Sequence, residues 1–154
     1  MKPVTAIHAP SDVPRLIVDQ LSLSHDERRV RRKALRGVNG TDLLLDLPQT
    51  TTLEPGYLLE VAPGAFVEVL AANELLYEIH GRDTAHLVRL AWHIGNRHTS
   101  AQLEQHRILI KRDHVLKTML EGLGASISNV SEPFFAEHGA YHSHGDQGHA
   151  LLAR

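Results

Sequence analysis

Cysteine is absent from the 154 residues. That excludes disulfides, thiolate metal sites and a cysteine nucleophile together. Long apolar runs are missing too: none approaches the ~20 residues that a membrane-spanning helix needs. The first ten residues, Met1 to Pro10, lack the apolar core of a signal peptide. A cytoplasmic protein without membrane association is expected. Charge of one sign is also scarce, the formal net charge being −2. Bulk attraction to nucleic acid or to anionic lipid is therefore not expected. Finally, no His-Glu-x-x-His or comparable constellation occurs, so the ligand cluster and general base of a metal-dependent hydrolase are lacking.

What remains is ordinary for a globular chain, with 42% hydrophobic and 22% charged residues. The length suits one domain or two small ones. Two textures divide it. Six of the seven prolines lie at or before Pro63, and short apolar runs alternate with turn signals there. Strands are predicted over residues 15–23, 28–35, 42–47, 57–61 and 65–70. Evenly spaced strands of this length imply a small all-β domain, here residues 1–73.

From Glu74 the periodicity changes. A strand over 74–79 precedes a helix capped by Asp83, whose apolar face is Leu87, Leu90, Ala91 and Ile94. Two strands (102–106 and 107–111) precede a second helix, capped by Asp113, with Leu116, Met119, Leu120 and Leu123 on its apolar face. A last strand is placed at 127–130. The order β-α-β-β-α-β is the ferredoxin-like arrangement, assigned to residues 74–136. The whole is an α+β chain ending in a flexible, His-containing tail, 137–154.

Twelve histidines stand out against this background. Imidazole is the commonest metal ligand. His86 and His93 lie two helical turns apart, about 10 Å along the axis, too far to share one ion directly. His86 is expected on a polar, solvated face. His93 sits in the last turn, where the helix dipole favours its cation; a structural role and a peripheral metal role both fit. His98 follows Gly95-Asn96-Arg97 just past the helix end, with no second ligand nearby in sequence. A two-fold dimer with this edge at its axis would pair it with its own copy. His114 stands beside the capping Asp113 and is at most a secondary ligand. The tail carries His138, His142, His144 and His149 among glycines, a pattern suited to metal binding. Imidazoles without sulfur suit Ni²⁺, Zn²⁺ and Cu²⁺, and few ligands per chain suit a site that releases its ion.

A rival reading is a nucleic-acid-binding module, argued from the basic run Arg28 to Arg36. That run lacks interleaved aromatics for base stacking. Asp26, Glu27, Asp42 and Asp46 are close enough in sequence to neutralise it. A general Zn/Ni-binding module is a further alternative.

Several separated segments together resemble the UreE family of urease accessory proteins. They are Gly95-Asn96-Arg97-His98, Asp113-His114-Val115-Leu116, Met119-Leu120-Glu121-Gly122-Leu123-Gly124, Pro133-Phe134 and Gly139-Ala140-Tyr141-His142. In the amino-terminal half, the basic strand and Asp42 to Pro48 also fit. The resemblance implies a non-enzymatic nickel metallochaperone that works as a homodimer. Its amino-terminal domain would bind peptides, and its ferredoxin-like domain would bind metal and dimerise. His98 would hold a central Ni²⁺ with its copy, with His142, His144 and, less directly, His149 as tail ligands, and His93 and His114 as peripheral sites. The implied partners are a urease accessory GTPase, other urease accessory proteins and the urease apoprotein. The chain departs from the pattern in places. Arg112-Asp113-His114 stands where some relatives have His-Asp-His, and Ser100 and Ala136 stand where proline is expected. The tail is only modestly histidine-rich, so large-scale nickel storage is not expected.

Overall fold

The computed structural model describes residues 2–10 and 13–139. Two compact units divide at Ala72/Asn73, and each has its own core. Among the described residues no helix is long and apolar enough to cross a membrane.

In the first unit, β1 (Leu16–Leu23), β2 (Arg29–Arg36), β3 (Asp42–Thr52), β4 (Leu58–Ala62) and β5 (Ala65–Ala71) form two sheets. One has the order β1-β5-β4, with β1 parallel and β4 antiparallel to β5; the other is the antiparallel pair β2-β3. Alternation sends Leu43, Leu45 and Leu47 inward to meet Leu21, Leu59, Val67 and Val69. Strand β3 was expected to stop at Leu47 but continues to Thr52. Its pairing with β2 jumps from Arg32↔Asp46 to Val30↔Thr51. Pro48, which has no N–H to donate, sits in that irregularity.

The segment before β1 was given no structural role by its composition, yet it links the two sheets. Val4 exchanges backbone hydrogen bonds with Leu44 and Asp46 of β3, both 2.8 Å. His8 does the same with Leu58 of β4, at 2.9 and 2.8 Å. The basic strand is partly neutralised. Arg32 pairs with Asp46 at 2.7 Å and Arg36 with Asp42 at 3.9 Å. Arg28, at the head of the run, is buried and donates to the Leu23 carbonyl at 3.0 Å.

The second unit contains β6 (Asn73–His80), α1 (Thr84–Asn96), β7 (Gln102–Leu103), β8 (Ile108–Lys111), α2 (His114–Gly122) and β9 (Ser126–Pro133). Its sheet has the order β7-β8-β6-β9 with every neighbour antiparallel. This is the ferredoxin-like order expected from the alternation of elements. Tyr77, Ile79, Ile108 and Ile110 face the helices and pack on Leu87, Leu90, Ile94 and Leu120. The intervening Leu76 and Leu109 face the other way. Two boundaries differ from expectation. Strand β7 is only two residues long because the chain turns at once, with Glu104 N–H bonded to the Arg107 carbonyl at 3.0 Å. Strand β9 is twice the expected length, because its pairing with β6 runs from Ser126 to Pro133.

One carboxylate organises the turn between β2 and β3. Asp19 is 2% exposed and accepts backbone N–H bonds from Gln20, Asn39 and Thr41 at 2.7, 2.9 and 3.0 Å. Gly37 packs so closely against it that a Cβ there would lie 2.2 Å from Oδ2. Loss of solvent opposes ionisation, but the N–H groups of Thr41, Asn39 and Gln20 outweigh it and hold the pKa at about 2. A pKa depressed in the folded state adds stability above the unfolded value of 3.8 and loses it as pH falls toward about 2. Thermal unfolding followed between pH 5 and about 2 should show this loss in the parent. Asp19→Asn should melt lower at neutral pH and show a flatter acid dependence; parallel curves for the two proteins would refute the assignment.

Candidate metal-carrier site

Both helices of the second unit end in the same hydrogen-bond pattern. At the end of α2, Gly124 N–H bonds to Glu121 O and Ala125 N–H to Leu120 O, each at 3.0 Å, with Gly124 at φ +90°. At the end of α1, His98 N–H bonds to Gly95 O at 3.0 Å and Thr99 N–H to Ile94 O at 3.4 Å. This is the Schellman closure, which satisfies the last carbonyls only if the residue after the cap turns left-handed. Glycine does this freely at 124. At the equivalent place in α1 stands His98, with φ 55°, the one non-glycine residue at positive φ among the described residues. The turn lifts its imidazole out of the helix line, and His98 is exposed.

The other predicted histidines lie elsewhere. His93, on the last turn of α1, is half-buried and makes an edge contact with the Trp92 ring at 5.1 Å between centroids. His114 opens α2 and is exposed beside Asp113. The Asp113 carboxylate accepts from Val115 and Leu116 N–H at 2.9 and 3.1 Å, so it is occupied as the cap. His142, His144 and His149 lie outside the described residues. Among the described residues no group of three or more His, Asp or Glu side chains could hold one ion together. His98, His93 and His114 are therefore not assembled into a closed site within one chain.

His86 departs from expectation. It is buried, not solvated. Its Nδ1 accepts Arg82 N–H at 2.9 Å, which leaves Nε2–H to donate to the Leu123 carbonyl at 2.8 Å. Both ring nitrogens are used in joining the start of α1 to the end of α2, so this histidine has no lone pair left for a metal. The spacing in sequence could not reveal it, since the partner carbonyl lies 37 residues away.

The carboxylates near the sheet are likewise spoken for. Arg107 binds Glu78 at 2.7 Å, Glu104 at 2.9 Å and Glu132 at 2.6 Å. Its hydrogen bonds hold Glu78 and Glu104 below the usual carboxylate range, and the arginine is itself raised by its bonds to Glu132, Glu104 and Glu78. All three carboxylates are thus engaged by the one guanidinium.

The comparisons with known proteins cover both units. The model for the C-terminal domain of the UreE urease accessory protein matches residues 74–152, and that for its N-terminal domain matches residues 2–72. The chain belongs to the UreE family. The urease accessory protein UreE of Rhizobium leguminosarum bv. trifolii (strain WSM2304) is 53% identical over 135 residues, 85% of this chain and 70% of that protein. Those of Rhizobium rhizogenes (strain K84 / ATCC BAA-868) and Agrobacterium fabrum (strain C58 / ATCC 33970) are 50% and 48% identical. They cover 91% and 95% of this chain, and 82% and 91% of their own lengths. UreE proteins are accessory chaperones and not enzymes, and their family role is in urease maturation.

A histidine in the left-handed region costs about 1 kcal/mol relative to glycine, partly offset by the greater unfolded freedom of glycine. His98→Gly should therefore raise the unfolding free energy by roughly 0.5 kcal/mol in chemical denaturation. A destabilised variant would show that the imidazole makes a structural contact that outweighs the strain.

Proposed function

We propose that this UreE-family chain carries Ni²⁺ as cargo to the urease apoprotein through an accessory GTPase, acting in the cytoplasm as a homodimer whose central site is built on His98. The observation that carries this reading is the exposed His98, held at positive φ where glycine would be easier. Strain of this kind persists where function requires it.

A dimer supplies the second imidazole. Along α1, Val88 and Trp92 are each 64% exposed and lie four residues apart, one above the other on the same helical face. That apolar stripe runs toward the helix end that bears His98. An exposed tryptophan is a costly surface residue and a frequent anchor of interfaces. Pairing two such stripes about a two-fold axis buries both anchors and brings the two His98 side chains toward one another.

Two imidazoles leave coordination positions open. His142, His144 and His149 are the candidates to fill them, with His93 and His114 as peripheral ligands. Zn²⁺ and Cu²⁺ suit the same nitrogen donors and compete for them in vitro. Because few ligands come from rigid structure, a partner can replace the remainder stepwise and the ion passes by ligand exchange. The residues assigned to the first domain, 1–73, would present the partner-binding surface, and those of the second, 74–136, the metal and dimer surfaces. The pairing of Arg32 and Arg36 with aspartates counts against a nucleic-acid-binding role for the basic strand.

Titration calorimetry with Ni²⁺ should find one tight ion per dimer in the parent and none in His98→Ala. Unchanged tight binding in that variant would sink the shared site. Trp92→Asp should lose about 2 kcal/mol or more of dimerisation free energy, read by sedimentation, and lose the tight ion with it although His98 is intact.

A further inference from the structure

The chain contains a single Asn-Gly pair, Asn39-Gly40, and the fold sets it at the tip of the turn between β2 and β3. Asn39 is exposed, and its carboxamide has no partner among the described residues. Gly40 stands at φ +95°, a conformation that side chains disfavour, so the turn itself calls for the glycine. In a loose chain such a pair reacts with itself. The Gly40 backbone nitrogen attacks Asn39 Cγ and gives up its proton to solvent. The bond from Cγ to the side-chain nitrogen breaks, and that nitrogen takes up a proton and leaves as ammonia. Water then opens the resulting succinimide at either carbonyl, giving aspartate or isoaspartate. The folded turn withholds the groups this course needs. The Gly40 N–H is committed to the Gly37 carbonyl at 3.0 Å. On either side of it, the Asn39 and Thr41 N–H groups are bound by the buried Asp19 carboxylate at 2.9 and 3.0 Å.

We propose that Asn39 is a latent modification site, closed while Asp19 holds the turn and open to deamidation once that hold is lost. Ring closure requires the backbone to rotate about Asn39, and the bonds of the flanking amides to Asp19 resist that rotation. Charge acts in the same direction. The attacking nitrogen becomes reactive as its proton departs, and a carboxylate beside the neighbouring amides opposes the negative charge that builds there. The opposing influence is Arg36, whose Nη2 would lie 3.6 Å from a Cβ at Gly40 and whose Nε is 3.9 Å from Asp42. With its pKa held at about 2, Asp19 is ionised throughout the neutral and alkaline range in which deamidation runs. Conversion is not silent. Isoaspartate routes the main chain through the former side chain, and the added methylene pushes the amides of residues 39 and 41 apart. They then no longer both reach Asp19, and the turn closes less well. A chain that lingers unfolded thus acquires a covalent mark that weakens its return to this fold. The proposal is independent of the reading of His98 as a metal site.

The test incubates the full chain at mildly alkaline pH and follows residue 39 by peptide mapping, mass spectrometry and an isoaspartyl assay. Its arms are the folded parent, the parent in guanidinium chloride, Asp19→Asn, Thr41→Val and Asn39→Gln. Thr41→Val removes only the hydroxyl that also bonds Asp19, so it reports on the hold even where Asp19→Asn folds poorly. The denatured parent is expected to convert at Asn39 roughly tenfold or more faster than the folded parent, the factor that loss of a hydrogen bond to a charged group implies. Folded Asp19→Asn should approach the denatured rate and Thr41→Val should fall between, while Asn39→Gln should stay unmodified at that position. Equal rates in the folded and denatured parent overturn the proposal. So does conversion of other asparagines in the denatured chain while Asn39 stays intact. A folded Asp19→Asn no faster than the parent, or Thr41→Val no faster where Asp19→Asn does not fold, removes Asp19 as the hold and overturns the proposal equally.

Discussion

The last carbonyls of a helix have no partners of their own, and α1 satisfies those of Ile94 and Gly95 by turning the chain left-handed at residue 98. Much of the functional geometry depends on that requirement. Were the helix to fray there, His98 would sit on a wandering end. Because the closure is made, the imidazole leaves the helix at a defined place, exposed, with Arg97 behind it and the short strand β7 ahead. The same closure at Gly124 shows what the fold does where no side chain is wanted. Between the two helices, His86 bonds the Arg82 amide to the Leu123 carbonyl and so ties the start of α1 to the end of α2. His86 and His98 thus differ sharply: the first is buried with both ring nitrogens committed, the second is exposed.

Small units bury a smaller share of their surface, and each half of this chain adds an irregular segment to its core. In the first unit, residues 2–10 bridge β3 to β4 by backbone bonds at Val4 and His8. In the second, residues 134–137 cover Leu76 and Leu109 on the face that the helices leave bare. A sheet with helices on only one side exposes apolar residues on the other unless something crosses it.

The element order was legible because it rests on local periodicity. Leu87, Leu90, Ala91 and Ile94 repeat at helical spacing, and Leu43, Leu45 and Leu47 alternate, whatever surrounds them. Capping aspartates at 83 and 113 announced both helix starts, and their carboxylates accept the expected amides. The ferredoxin-like order followed from the succession of elements. Strand ends were less legible: β3 ran past Pro48 and β9 past Val130, because pairing with a neighbour decides where a strand stops. His86 was misread for a related reason. A histidine is polar in any sequence window, and only a carbonyl from a distant turn makes its burial tolerable.

By itself, then, the succession of residues determined the two-part α+β architecture, the sulfur-free donor set and the family to which the chain belongs, since all of these are written in local patterns and residue identities. Tertiary structure alone decided which histidines are available. It buried His86, set His98 at positive φ in the open and occupied Glu78, Glu104 and Glu132 with Arg107. Each of these outcomes depends on a partner atom contributed by another element, and no periodicity within a single segment encodes where such a partner will be.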